Sequence, residues 1–143
     1  FRMARSNKGF TLVELMVVIV IMGVLAVLAV PKLTDVITKA KISEIPIVMG
    51  SWEHAQMAYI AETGKCATAV TDLAFDAPDS SKWFDYDHAA GATDNAVTYE
   101  AKVLSGKKVG KFDENSNAVT STINDSSSVT HTKGDFAKYL ANF

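Results

Sequence analysis

Residues 10–30 read FTLVELMVVIVIMGVLAVLAV, an apolar run that carries one ionisable side chain, Glu14. Folded as a helix rising about 1.5 Å per residue, it is about as long as the hydrocarbon core of a bilayer is thick. The run predicts a transmembrane helix. Arg2, Arg5 and Lys8 precede it, and basic flanks stay on the cytoplasmic side, so the expected topology puts the N-terminus inside and the bulk of the chain outside.

On pattern alone, two plainer readings compete. One is a removable secretory signal, with Val27-Leu28-Ala29 as small-residue context for cleavage; the other is a simple membrane anchor. Glu14 speaks against both, because a carboxylate inside the apolar stretch costs roughly 2 to 4 kcal/mol on insertion and gives neither of them a benefit. The pattern also continues past the membrane. After Pro31, apolar residues recur near helical spacing at Leu33, Val36, Ile37, Ala40, Ile45, Val48, Trp52, Ala55 and Tyr59. Gly64 reads as a C-cap, so one helix is expected from Phe10 to about Thr63, amphipathic over residues 31–63, with kinks at Pro31 and Pro46.

The 143 residues leave room for one further small domain, residues 64–143. Its only cysteine, Cys66, has no partner within this sequence, so packing must stabilise it. Removing residues 1–9 would change the net charge from −2 to −5, with 11 basic against 16 acidic groups. That balance argues against nucleic acid as a general partner, although Lys102, Lys107, Lys108 and Lys111 form a local basic group. Its plainer reading is a hairpin edge kept basic against aggregation.

Within the domain, Ala96 to Leu104 alternates like a half-buried strand, Ser105 to Lys108 reads as a turn, and Val109 to Phe112 is expected to pair back as a hairpin. A further strand is expected at Ala118 to Ile123. Asp76 to Ser81, Asp113 to Asn117 and Asn124 to Ser128 read as loops, and Asp85-Asp87-His88 as a polar turn. Trp83, Phe84 and Tyr86 are expected in the core rather than on a carbohydrate-gripping surface. The fold class is therefore α+β: a long, kinked N-terminal helix packed against a small antiparallel sheet.

Lys8-Gly9-Phe10-Thr11-Leu12-Val13-Glu14-Leu15, the apolar run and Pro31 together resemble the N-terminal signature of type IV prepilins and of the pseudopilins of type II secretion. The resemblance is close from Ser6 to Lys41. It implies that residues 1–9 are a leader, that a prepilin peptidase/methyltransferase cuts between Gly9 and Phe10 and N-methylates Phe10, and that the chain is a substrate rather than an enzyme. It further implies a homo-oligomeric helical filament built on an assembly platform. The subunit would lie in the bacterial inner membrane before assembly and in an extracellular or periplasmic filament afterwards. Glu14 then gains a task, since cleavage creates a cationic amine on Phe10 that can neutralise the Glu14 of a neighbouring subunit.

The leading expectation is a type IV pilus subunit. The alternative is a type II secretion pseudopilin, and a third reading is a membrane-anchored module that binds carbohydrate or DNA. The major pseudopilins of type II secretion carry a calcium loop in this part of the chain, and a resemblance to them makes Asp113, Asn115, Asn117 and Asp125 a candidate metal site. Ala118 and Asn124 stand where an EF-hand needs its glycine and its bidentate glutamate. Otherwise no cofactor is expected. His54, His88 and His131 lack zinc-ligand spacing, and no catalytic motif appears.

Overall fold

The computed structural model describes residues 9–76, 78 and 80–143. The basic leader residues Arg2, Arg5 and Lys8 lie outside the described residues, as do Ala77 and Asp79 of the expected 76–81 loop. The chain divides into two units, residues 1–36 and Ile37–Phe143.

The described part of the first unit is helical from Leu12 onward. Helix α1 (Leu12–Ile42) runs through Pro31, and every described residue from Gly9 to Val36 is exposed. Apolar side chains without neighbours make this a helix whose burial must come from outside the chain. At Pro31, the Thr34 hydroxyl donates to the carbonyls of Val30 (3.3 Å) and Pro31 (2.8 Å).

The second unit packs the end of α1 and helix α2 (Glu44–Thr63) against a four-stranded sheet. The helical run is interrupted at Ser43, three residues before Pro46. The proline ring has no N–H to give Ile42 and crowds that carbonyl, so the ladder breaks just upstream of it. At its far end α2 stops at Gly64, whose left-handed conformation (φ 72°) lets its N–H donate to the Ile60 carbonyl.

The sheet is an antiparallel meander of β1 (Phe84–His88), β2 (Ala96–Val103), β3 (Val119–Asn124) and β4 (Val129–Thr132), in that order. Its registers include Phe84 opposite Val103, Ala101 opposite Val119 and Ser121 opposite His131. Alternation puts Phe84, Tyr86, Val97, Tyr99, Ala101, Val119 and Ile123 on the buried face. Trp52 of α2 stacks on Tyr99, with ring centroids 5.0 Å apart.

Several expectations are corrected. Asp85-Asp87-His88 belongs to β1 rather than to a turn, because Phe84 and Tyr86 alternate with them and bury their rings. Val109 to Phe112 does not pair with β2; it closes on itself, Val109 bonding Phe112, while Val109 and Phe112 sink into the core. β4 was not anticipated, since its Val-Thr-His-Thr sequence is half exposed along a sheet edge. The buried helix face is Thr38, Ile42, Ile45, Met49, Trp52, Gln56 and Ile60, whereas Leu33, Val36 and Ile37 are exposed. Two polar residues, Thr38 and Gln56, hid that stripe from an apolar count.

Candidate functional site

Thr11 explains where the first helix begins. Its backbone N–H and its hydroxyl both donate to Glu14 Oε2, each at 2.8 Å, and the Glu14 N–H donates back to Thr11 Oγ1 at 3.3 Å. This is a reciprocal capping box, the Thr-x-x-Glu pattern that satisfies otherwise orphaned helix N–H groups. Gly9 and Phe10 are left outside the helix, with Phe10 83% exposed. The peptide bond between them is therefore exposed and outside the hydrogen-bonded ladder of the helix.

The capping box is readable in the sequence as Thr11-x-x-Glu14, a signal that a reading of Glu14 as a charge alone passes over. A cap gives even a plain anchor a use for Glu14, so the glutamate is informative only together with the Gly9-Phe10 junction. Its two oxygens divide the tasks: Oε2 takes the three-residue cap, while Oε1 makes no hydrogen bond among the described residues.

In the second unit, polar side chains pin loops and strands to α2. Gln56 is fully buried and clamps Ala67, its Nε2 donating to the Ala67 carbonyl (2.9 Å) and its Oε1 accepting from the Ala67 N–H (3.1 Å). Glu53 Oε1 accepts from the Ser121 hydroxyl at 2.5 Å and lies 2.6 Å from His131 Nε2. The Trp52 indole donates to His88 Nε2 at 3.0 Å, which leaves His88 Nδ1 to donate to the Thr68 carbonyl at 3.0 Å. Burial, with Glu44 next in effect, pushes the Tyr86 phenol far above its usual range while its hydroxyl donates to Glu44 at 2.9 Å. These are structural groups; no histidine here faces two other ligands.

The four residues of the expected metal loop are not gathered. Asp113 accepts from the Asn115 N–H at 3.0 Å in a local turn. Asn117 is held by Asp135, its N–H donating at 2.6 Å. Asp125 sits beyond the other end of β3, its N–H bonded to Asn95. Among the described residues no group of three His, Cys, Asp or Glu side chains is placed to hold a metal. Phe84 and Tyr86 are buried, and Trp83 is half-buried beneath the Lys41 ammonium, 3.4 Å from its ring centroid. Cys66 is buried and its thiol is pushed up, first by burial and then by Asp125 and Asp94.

One helix among the described residues is long and apolar enough to cross a membrane. Residues 4–30 match the prokaryotic N-terminal methylation motif. The chain is similar to the type IV major pilin protein PilA of Myxococcus xanthus, 32% identical over 91 residues, which cover 64% of this chain and 41% of that protein. It is 36% identical over 74 residues to a fimbrial protein of Moraxella nonliquefaciens, covering 52% of this chain and 47% of the relative. To the type IV major fimbrial protein FimA of Dichelobacter nodosus it is 30% identical over 82 residues, 57% and 44% of the two. The matches span less than half the length of these curated relatives. With the methylation motif ahead of a membrane-length helix and a four-stranded sheet behind it, the chain resembles type IV pilins and fimbrial proteins over its N-terminal part.

Proposed function

We propose that this chain is the structural subunit of a type IV pilus, trimmed between Gly9 and Phe10, N-methylated on Phe10, and polymerised through its apolar helix. The observation that carries the reading is the joint placement of an exposed Gly9-Phe10 junction and Glu14 within an apolar helix that has no burial of its own. Cutting the bond gives Phe10 an α-amine that is mostly cationic at neutral pH, and methylation keeps that charge. The open Oε1 of Glu14 in a neighbouring copy supplies its counter-charge. In an apolar filament interior that pairing sets register, because any other axial offset leaves both charges buried and unpaired.

The test separates capping from charge. Glu14→Gln keeps an oxygen for the Thr11 cap, since glutamine serves in capping boxes, but it removes the negative charge. Mass spectrometry should find a wild-type chain beginning at N-methylated Phe10, and electron microscopy of sheared surface material should find filaments of it. The Glu14→Gln chain should be cut and methylated yet fail to assemble. A wild-type chain that keeps residues 1–9 on the surface, or full filament yield from Glu14→Gln, would overturn the reading.

A further inference from the structure

Charge is distributed unevenly along the second unit. Its strand registers and helix contacts order the residues from one end, where Ile37–Ile42 and the 104–112 loop meet, to the other, where α2 finishes at Gly64. Gly110 lies at the first end, its open side against Thr38, where an added Cβ would come within 2.5 Å of the threonine hydroxyl. Cys66 and Asp94 lie at the second, joined by the Cys66 N–H donating to the Asp94 carbonyl at 2.7 Å.

The first end is basic. Lys39, Lys41, Lys82, Lys107, Lys108 and Lys111 belong to it, and none makes an ion pair among the described residues. Two carboxylates nearby are turned to other work, Glu114 accepting from the Ser105 hydroxyl and the Gly106 N–H and Asp113 from the Asn115 N–H, while Asp85 stands exposed opposite Lys102. The lysine-bearing loop is rigidly founded. Val109 and Phe112 exchange both backbone hydrogen bonds, at 2.9 and 3.1 Å, and bury their side chains, so Lys107, Lys108 and Lys111 stand exposed on a fixed base.

The second end is acidic. Glu62, Asp72, Asp94 and Asp125 lie there, and the one nearby lysine, Lys65, is engaged by Asp94 at 2.8 Å. Glu62 and Asp72 line a single recess of about 200 Å³ whose other walls are Tyr59 and the methyl groups of Ala55, Ala58 and Ala74. Two carboxylates over an apolar floor fit a lysine, which needs counter-charge for its ammonium and apolar surface for its stem.

We propose that this recess takes Lys107 or Lys108 from the next copy of this chain, so that subunits dock head to tail, basic end on acidic end. The proposal rests on the pilin reading, and it supplies a contact that the apolar helix does not. A head-to-tail contact uses two different surfaces and so propagates without closing, which is what a filament requires. Opposed ends also reject the reversed orientation, where like charges would meet.

Carbodiimide, which joins touching amines and carboxylates as amides, tests this on wild-type filaments, with cross-linked peptides identified by mass spectrometry. Lys65 linked to Asp94 within one copy is the internal control. The expected further product joins Lys107 or Lys108 to Glu62 or Asp72, a link that must run between copies because these residues lie at opposite ends of one. Filaments that give the control link but not this one overturn the proposal. A wild-type chain that forms no filaments fails the pilin reading instead. In parallel, Lys107→Glu with Lys108→Glu should lower filament yield about fivefold, and adding Glu62→Lys with Asp72→Lys should restore it. Unchanged yield in the first variant, or no recovery in the second, also overturns it.

Discussion

The two units of this chain solve the problem of apolar side chains in opposite ways. In the second, Ile42, Ile45, Met49 and Trp52 are covered completely within the same chain. In the first, Leu12, Leu15, Val18 and Leu25 are between 45% and 86% exposed. Both are helical over these residues, so helix formation is not what separates them. What separates them is where the burial comes from: outside the chain for the first, within the unit itself for the second. The contrast teaches that composition marks the unit that depends on partners, whereas packing must be seen to understand the unit that does not.

The largest expected effect follows from removing a covered side chain. Trp52→Ala empties space beneath the sheet, loses the stack on Tyr99 and strands the His88 acceptor, and should destabilise the second unit by about 3 to 5 kcal/mol. Val18→Ala removes as apolar a group from the first unit and should shift the same unfolding transition by less than about 0.5 kcal/mol. Urea unfolding of the full-length chain in detergent, followed by tryptophan fluorescence, measures both. Comparable losses would show that both units depend equally on burial within the chain.

Glycines sharpen the contrast at the next scale. Gly134 has φ 51°, and a Cβ there would press into the carbonyls of Asn117 and Ala118. Gly134→Ala should therefore cost about 2 to 4 kcal/mol, from left-handed strain and overpacking together. A Cβ at Gly23 meets nothing within 4 Å, and Gly23→Ala should leave the second unit's unfolding unaltered. Thermal unfolding of the two variants side by side decides the point.

The same division explains what the sequence could reveal. The apolar run was legible because a helix without internal neighbours is described by its own residues. β3 lies within one residue of the strand expected at Ala118 to Ile123, and β2 was legible from its alternation. β1 was not, because Asp85 and Asp87 gave Phe84 to His88 the look of a polar turn, although those aspartates face solvent in perfect strand alternation. Gln56 was not either. Its meaning lies in Ala67, whose N–H and carbonyl it satisfies across a chain reversal that no local pattern announces. Gln56→Leu should cost about 2 kcal/mol by leaving those buried groups unpaired, read by the same unfolding assay.

A smaller effect concerns the Thr11–Glu14 capping box of the first unit. Thr11→Val removes the hydroxyl from the Thr11–Glu14 box and should weaken the start of α1 by about 1 kcal/mol, whereas Thr11→Ser should keep it. Pulse-chase measurement of leader removal in cells compares the variants. If the cap defines the boundary of the cleavable segment, Thr11→Val changes the rate of cutting and Thr11→Ser does not. Equal rates in all three would confine the cap to helix stability.

The smallest effect is a titration in the second unit. Hydrogen bonds from the Ser105 hydroxyl, and next from the Gly106 N–H, hold the exposed Glu114 carboxyl below its usual range. A depressed carboxyl stabilises the folded turn above the unfolded pKa, about 4.3 for glutamate, and that contribution is lost as pH falls through the lower folded value. Amide exchange at Gly106 should therefore quicken as pH drops below about 4, relative to its intrinsic pH dependence, while amides beneath Trp52 remain protected. Glu114→Gln should abolish the extra pH dependence. Because the same turn carries Lys107 and Lys108, loosening it in acid should also blunt their carbodiimide coupling to a neighbouring copy. That coupling would then fall with pH through Glu114 in the wild type and lose that component in Glu114→Gln.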